Sequence, residues 1–245
     1  MRRLRWILIA IGALVVLVVG GTWFYIHVIE GPAPKPLTFQ GRDAAVTTSL
    51  APSGQASTTA APASTAAPAA SGLAGKWTAT GESQAGYRVK EILFGQHTEA
   101  VGRTNAVTGE VDIAGSAVQS ASFSVDLTQV TSDQRDRDGQ FRGRIMKVAQ
   151  FPTATFKLTQ PIGITTNPAD RQEVPLKATG DLTLHGTTKT VTIELIARRN
   201  GGNIEVNGSI PIVFAEWGIP NPTFGPASTE DHGVIEFLLV FTRVA

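Results

Sequence analysis

Between Gly75 and the C-terminus the chain alternates apolar and polar residues with a period of two. That is the signature of strands with one dry and one wet face. Ala121, Phe123, Val125 and Leu127 oppose Ser120, Ser122, Ser124 and Asp126. Val107, Val111 and Ile113 oppose Thr108, Glu110 and Asp112, and Ala154, Phe156 and Leu158 form a further set. So do Ala178, Leu182 and Leu184, then Val191, Ile193, Leu195 and Ala197, then Ile204, Val206, Ile210, Ile212 and Phe214. The last strand places Ile235, Phe237, Leu239 and Phe241 on one face. Tyr87, Val89 and Leu93 form a partial set broken by Glu91. With Trp77 and Ala79 the pattern predicts about nine strands, separated by turn signals such as Asn200-Gly201-Gly202, Asn167-Pro168, His185-Gly186 and Asn221-Pro222.

Many short alternating strands joined by tight turns mean an antiparallel sandwich or barrel. The consistently polar second face and the large aliphatic inner set favour a barrel, a single closed sheet with one interior. The last strand departs from the rule: Leu238 and Val240 make it apolar on both faces, so something must cover it from outside. Between the strands at Ser120–Leu127 and Thr153–Gln160 lies a charged connector, Asp133–Gln150. Its early Asp136 and Asp138 and late Arg142, Arg144 and Lys147 suit a helix dipole. Ser132 or Asp133 would cap it. Gly139 and Gly143 each cost about 1 kcal/mol relative to Ala, so the connector is expected to be a short or broken helix pinned by Phe141 and Ile145.

The N-terminal third has another character. Residues 6–29 are an apolar run in which only Thr22 and His27 are appreciably polar, preceded by MRRLR. That length spans a hydrocarbon core of about 30 Å, and the basic flank places the N-terminus in the cytoplasm and the rest outside. The expectation is a single-pass anchor at the cell membrane, with a signal peptide cleaved after the small residues Gly20–Thr22 as the alternative. Residues 30–74 read as a flexible linker, because Ala44 to Ala74 is nearly all Ala, Gly, Pro, Ser and Thr. A coil of that length reaches about 35–40 Å, leaving the domain at 75–245 a domain's width from the membrane.

Charge and chemistry narrow the function. The first 74 residues carry five basic side chains against two acidic, which leaves sixteen against eighteen in the rest. A near-neutral domain without a basic run argues against nucleic acid as a partner. The absence of cysteine excludes disulfides, thiolate metal sites and a Cys nucleophile. No G-x-S-x-G elbow, H-E-x-x-H or phosphate-binding glycine loop occurs. His232, beside Glu230 and Asp231, is the best placed His for a cation, although loops at strand ends are commonly polar. Arg135–Asp138 reads either as a lid clasp or as a solvated helix start. Trp217 and Phe224, in a long Pro/Gly loop, rim the barrel mouth or pack into the core. Asn207-Gly208-Ser209 matches a glycosylation acceptor but lies within a strand.

The run QRDRDGQFRGRIMKVAQFPTATFKL resembles the hallmark of the YceI-like family, an RD-containing segment before a "YPT-x-x-F" type strand. ATGDLTLHGTTKTVTIEL and the closing TEDHGVIEFLLVFTR are also similar, as is the opening GYRVKEILFGQHTEAVGRTNAVTGEV, with Val101-Gly102-Arg103-Thr104 where that family has a "V-x-G-x-F"-like turn. The resemblance covers 75–245. It implies an all-β fold, an antiparallel eight-stranded lipocalin-like barrel with one short helical connector, binding a long apolar molecule such as a polyisoprenoid or isoprenoid quinone. The residues that would face such a lipid are Tyr87, Val89, Leu93, Phe123, Val125, Phe141, Ile145, Phe156, Leu158, Leu182, Ile193, Leu195, Ile212, Phe214, Phe237 and Leu239. No other cofactor, no metal and no catalysis are expected. The residues alone leave open whether the phenylalanines fill the barrel or line a cavity. Two other functions compete: a protein-interaction module or homodimer using the outer face of the last strand, and an enzyme using Glu91 and Tyr87 inside.

Overall fold

The computed structural model describes residues 33–49 and 72–244, except 94, 165–167, 224 and 226, together with isolated helical positions at 14, 16, 20 and 21. Thirteen strands follow one another: β1 (Gly75–Ala79), β2 (Gln84–Leu93), β3 (Gln96–Thr104), β4 (Val107–Ala114), β5 (Ala117–Asp126), β6 (Thr131–Ser132), β7 (Thr153–Leu158), β8 (Ile162–Gly163), β9 (Val174–Leu184), β10 (Thr187–Asn200), β11 (Asn203–Val213), β12 (Ala227–Thr229) and β13 (His232–Arg243). Eight of them, in the order β1-β4-β5-β7-β9-β10-β11-β13, close on themselves because β1 also pairs with β13. The ladders of this ring are all antiparallel. Closure removes the sheet edges that would otherwise stand open to pairing.

β1 and β2 share the edge of β13, β1 beside its end and β2 beside its beginning. The break between them is fixed by Ser83, whose hydroxyl donates to the Val240 carbonyl at 3.2 Å and accepts from the Val240 amide at 3.0 Å. β3 continues from β2 and carries β6, so the β2–β3 hairpin extends the rim at one end. That end also holds the β9–β10 turn, where His185 and Gly186 both have positive φ (50° and 76°) as a two-residue hairpin of mirror-image turn type requires. The β10–β11 turn, Asn200 to Asn203, lies at the opposite end, the base.

The strands around the charged connector are neighbours in space: β5 pairs with β7, with Phe123 opposite Phe156. The connector arches across the rim as helix α2 (Arg135–Gln140) followed by a wider turn, Phe141–Ile145. Its expected break is therefore present, but its cap differs. Gln134 is the capping residue and makes no side-chain cap bond. Ser132 instead donates through its amide (2.8 Å) and hydroxyl (2.7 Å) to the buried Asp138 carboxylate, which ties the helix to the preceding turn.

One expectation falls mostly outside the described residues, and one further feature differs from expectation. Most of the 6–29 run lies outside the described residues, and among the described residues no helix is long and apolar enough to cross a membrane. Within the stretch read as linker, residues 33–44 lie against the barrel, entering helix α1 (Phe39–Ser49); 50–71 fall outside the described residues. Phe39 is buried beneath the Arg198 guanidinium, 4.3 Å from its ring centre. Arg42 Nε donates to Glu205 at 2.7 Å, and Arg198 Nε donates to the same carboxylate at 2.6 Å while its Nη2 reaches Asp43 at 2.7 Å. Glu205 is fully buried, although it points outward from β11. This strap supplies the cover that Leu238 and Val240 demanded. Both are buried, and their register partners Asn207 and Glu205 are the residues the strap engages.

Candidate functional site

Period-two alternation sends one face of every ring strand inward, and the barrel interior divides into two abutting chambers. The lower one, of about 190 Å³, has an apolar wall and is bordered by Phe123, Val125, Phe156, Leu158, Leu182, Ile193, Leu195, Phe237 and Leu239. The upper one, of about 620 Å³, lies under the lid and is bordered by Tyr87, Val89, Leu93, Val125, Phe141, Ile145, Ile212 and Phe214. Every residue expected to face a ligand thus borders one chamber, and Val125, Ala85, Ala154 and Ile235 border both.

The interior stays open because its rings lie flat against the wall. Tyr87 sits opposite Gly102, where an added Cβ would fall 2.4 Å from the ring. Phe237 lies in the same way over Gly208, where a Cβ would fall 2.6 Å from its ring. Phe123 and Phe156 cover Gly109 and Gly180. A ring folded onto a glycine takes up the missing side-chain volume and leaves the lumen free. Phe123 also stacks beside Phe156 at 6.5 Å and meets Phe241 at 5.6 Å, so these three rings form one aromatic patch in an otherwise aliphatic lower wall.

The lid closes the upper chamber through one aromatic contact and one ionic one. Phe141 stacks on Tyr87 with 5.0 Å between ring centres and 13° between planes. Burial pushes the Tyr87 hydroxyl's pKa well up, so it stays protonated. Arg137 Nη2 donates to Glu91 at 3.2 Å and Nη1 to Asp133. Glu91 is the polar interruption in the apolar face of β2, and its carboxylate is held by the lid. The Arg135–Asp138 segment therefore divides: Arg137 and Asp138 clasp, while Arg135 and Asp136 are exposed at the chamber border. Arg144 anchors the far side of the lid by donating to the Asn221 and Pro222 carbonyls at 3.1 and 3.0 Å.

The other candidates resolve as follows. Trp217 is buried in the core beneath the lid, and Phe224 lies outside the described residues. His185 is buried, with Nδ1 3.3 Å from the Trp217 carbonyl and its ring edge-on to Phe151. His232 is exposed, bridging Glu230 at 3.1 Å and Asp231 at 2.8 Å; the His232 hydrogen bond lowers the Asp231 pKa. Among the described residues no three such side chains converge as metal ligands. The Asn207 amide donates to the Leu37 and Phe237 carbonyls. Sequence reasoning missed Val130, Met146 and Ile219 of the upper wall, which lie outside regular strands where no period marks them, and it left Leu127, the end of an alternating set, out of the ligand-facing residues. It also missed Ala85 and Ala100, whose small side chains leave space instead of filling it.

Residues 77–241 match the model of the YceI-like domain. The chain belongs to the YceI-like family. A UPF0312 protein of Vibrio parahaemolyticus is 37% identical over 99 residues, 38% of this chain and 47% of its own length. One from Shewanella denitrificans is 33% identical over 97 residues, with the same coverage. The chain spans about half the length of these curated relatives. Among solved structures, a polyisoprenoid binding domain from Saccharophagus degradans, implicated in plant cell wall breakdown, aligns with a TM-score of 0.55 at 17% identity. It covers 69% of this chain and 98% of its own, a likeness of fold. The YceI-like barrel here carries α1 and its strap outside the matched residues.

Proposed function

We propose that this YceI-like barrel binds a long apolar lipid, a polyisoprenoid or an isoprenoid quinone, without catalysing a reaction on it. The observation that carries this reading is the pair of abutting chambers, the lower apolar and the upper mainly so with a polar border at the lid, held open by flat rings beneath a pinned lid. A tail threaded through both would gain about 0.8 kcal/mol for each buried CH₂, so few polar contacts are needed. The description of the Saccharophagus degradans domain as polyisoprenoid binding supports the same ligand class. The 6–29 run would hold the protein at the cell membrane as a single-pass anchor, with the barrel outside the cytoplasm.

Protein purified from its own host, extracted with organic solvent and analysed by mass spectrometry, is expected to yield a lipid of this class. The emptied protein is expected to take up added polyprenol or ubiquinone. Neither lipid nor uptake would sink the proposal. Glu91→Gln separates it from an enzyme built on Glu91 and Tyr87: binding persists in this reading, whereas turnover would vanish in that one. The interaction-module reading loses its best surface, since the chain's own strap lies over the outer face of β13.

A further inference from the structure

The strap runs along the barrel in one direction. Arg88 Nη2 donates to the Pro34 carbonyl at 2.7 Å, and Arg88 is level with Val234 of β13. Arg103 donates to the Lys35 carbonyl. Asn207 Nδ2 donates to the Leu37 carbonyl at 2.8 Å, level with Leu238. Arg42 then reaches Glu205, level with Val240, and Glu82 just before β2. The strap therefore descends β13 from the lid half to the base, about 20 Å for six residues at 3.3 Å each. Side chains grip its main-chain carbonyls, so the docked segment has one register.

Both ends of the 44–72 stretch are fixed at the base. Asp43 is held by Arg198, and the Gly72 carbonyl accepts from Arg243 at the end of β13. That stretch therefore begins and ends on the barrel, and the chain that joins barrel to apolar run is only Ile29 to Pro34. Five residues span at most about 18 Å, against about 35–40 Å for a free 45-residue coil. They arrive at Arg88, three residues or about 10 Å from Glu91 at the lidded mouth.

We propose that the strap is an orienting brace: it holds the barrel against the bilayer with its lidded mouth toward the lipid surface, so that ligand exchanges directly between membrane and upper chamber. This rests on the membrane-tethered lipid-binding reading.

The full chain is cysteine-free, so single labels are unambiguous. Gly143 on the lid and Gly202 at the base are both exposed with open space around them. Bimane on Gly143→Cys or Gly202→Cys is compared in phosphatidylethanolamine–phosphatidylglycerol vesicles carrying a headgroup nitroxide lipid. The lid label is expected to be quenched several-fold more than the base label. The difference is expected to vanish in a Phe39→Ala/Arg42→Ala/Asp43→Ala chain whose circular dichroism still shows the barrel, and to shrink in Phe39→Ala alone. Equal quenching in the otherwise unaltered chain, or stronger quenching at the base, overturns the proposal. So does failure to float with the vesicles, in which case the extraction assay still decides ligand binding separately.

Discussion

Removing the ring of Phe141 tests whether the lid is the gate. Phe141 is 8% exposed, so its side chain is almost wholly sequestered between lid and barrel. Burying such a side chain contributes about 1.5–3 kcal/mol, and a stacked pair like Phe141–Tyr87 adds about 0.5–1.5 kcal/mol. Phe141→Ala should therefore favour the open lid by about 2–4.5 kcal/mol. At 1.4 kcal/mol for each factor of ten, a release rate limited by lid opening rises by about 30- to 1600-fold. The Arg137–Glu91 and Asp138–Ser132 contacts remain and keep the lid's backbone near its place. The assay is stopped-flow transfer of a fluorescent polyprenol analogue from loaded protein to acceptor vesicles, beside a thermal melt. An unchanged release rate in a folded variant would refute the gating argument and point to another route into the barrel.

Three more outcomes are expected. Gly102→Ala drives a methyl against the Tyr87 ring, which must swing into the upper chamber; overpacking of about 1–3 kcal/mol is expected in the melt, with reduced polyprenol uptake. Glu205→Ala leaves two guanidinium groups without their shared carboxylate. Breaking a buried pair costs about 3–5 kcal/mol, and calorimetry should find the low end because Arg198 keeps Asp43 and Arg42 keeps Glu82. Strap docking should also depend on pH. The hydrogen bond from Arg198 lowers the Asp43 pKa, helped by the charges of Arg198, Arg171 and Arg42. A lowered folded value means the contribution is complete above the ordinary aspartate value of about 3.9 and fades as pH falls through the lower folded value. The anisotropy of a label on Gln40→Cys should hold at neutral pH and drop only in strong acid.

Much of the barrel was legible because its rule is local. Each of the eight ring strands turns one apolar face inward, so alternation alone places Phe123, Ile193 or Leu239 inside, and Asn200-Gly201-Gly202 marks a hairpin turn. The state of the interior was not legible. Phe123, Phe156 and Phe237 look like filling until the register sets each ring against a glycine on a neighbouring strand, and register is a long-range property. The lid was half legible. Phe141 showed at helical spacing, but the pairing of Arg137 with Glu91 joins positions 46 apart, and nothing in a run of alternating charges says which of them turns inward.

The strap was least legible, and for a physical reason. Arg88, Arg103 and Asn207 recognise main-chain carbonyls, which every residue offers, so Pro34–Leu37 carry no pattern of their own. The signal lay on the other partner. Leu238 and Val240 made the last strand apolar on both faces, which required a cover without naming it. Outward-facing charges on that strand and its neighbours, Glu236, Glu205 and Arg198, are buried. Charges are stable in such a place only when paired, and the strap brings Arg42 and Asp43 to two of them. Composition made Ala44–Ala74 look like the tether, yet the bonds belong to the residues just before it. The length of chain between apolar run and barrel is therefore set by where those bonds begin, at Pro34, and not by the length of the Ala/Pro/Ser/Thr stretch.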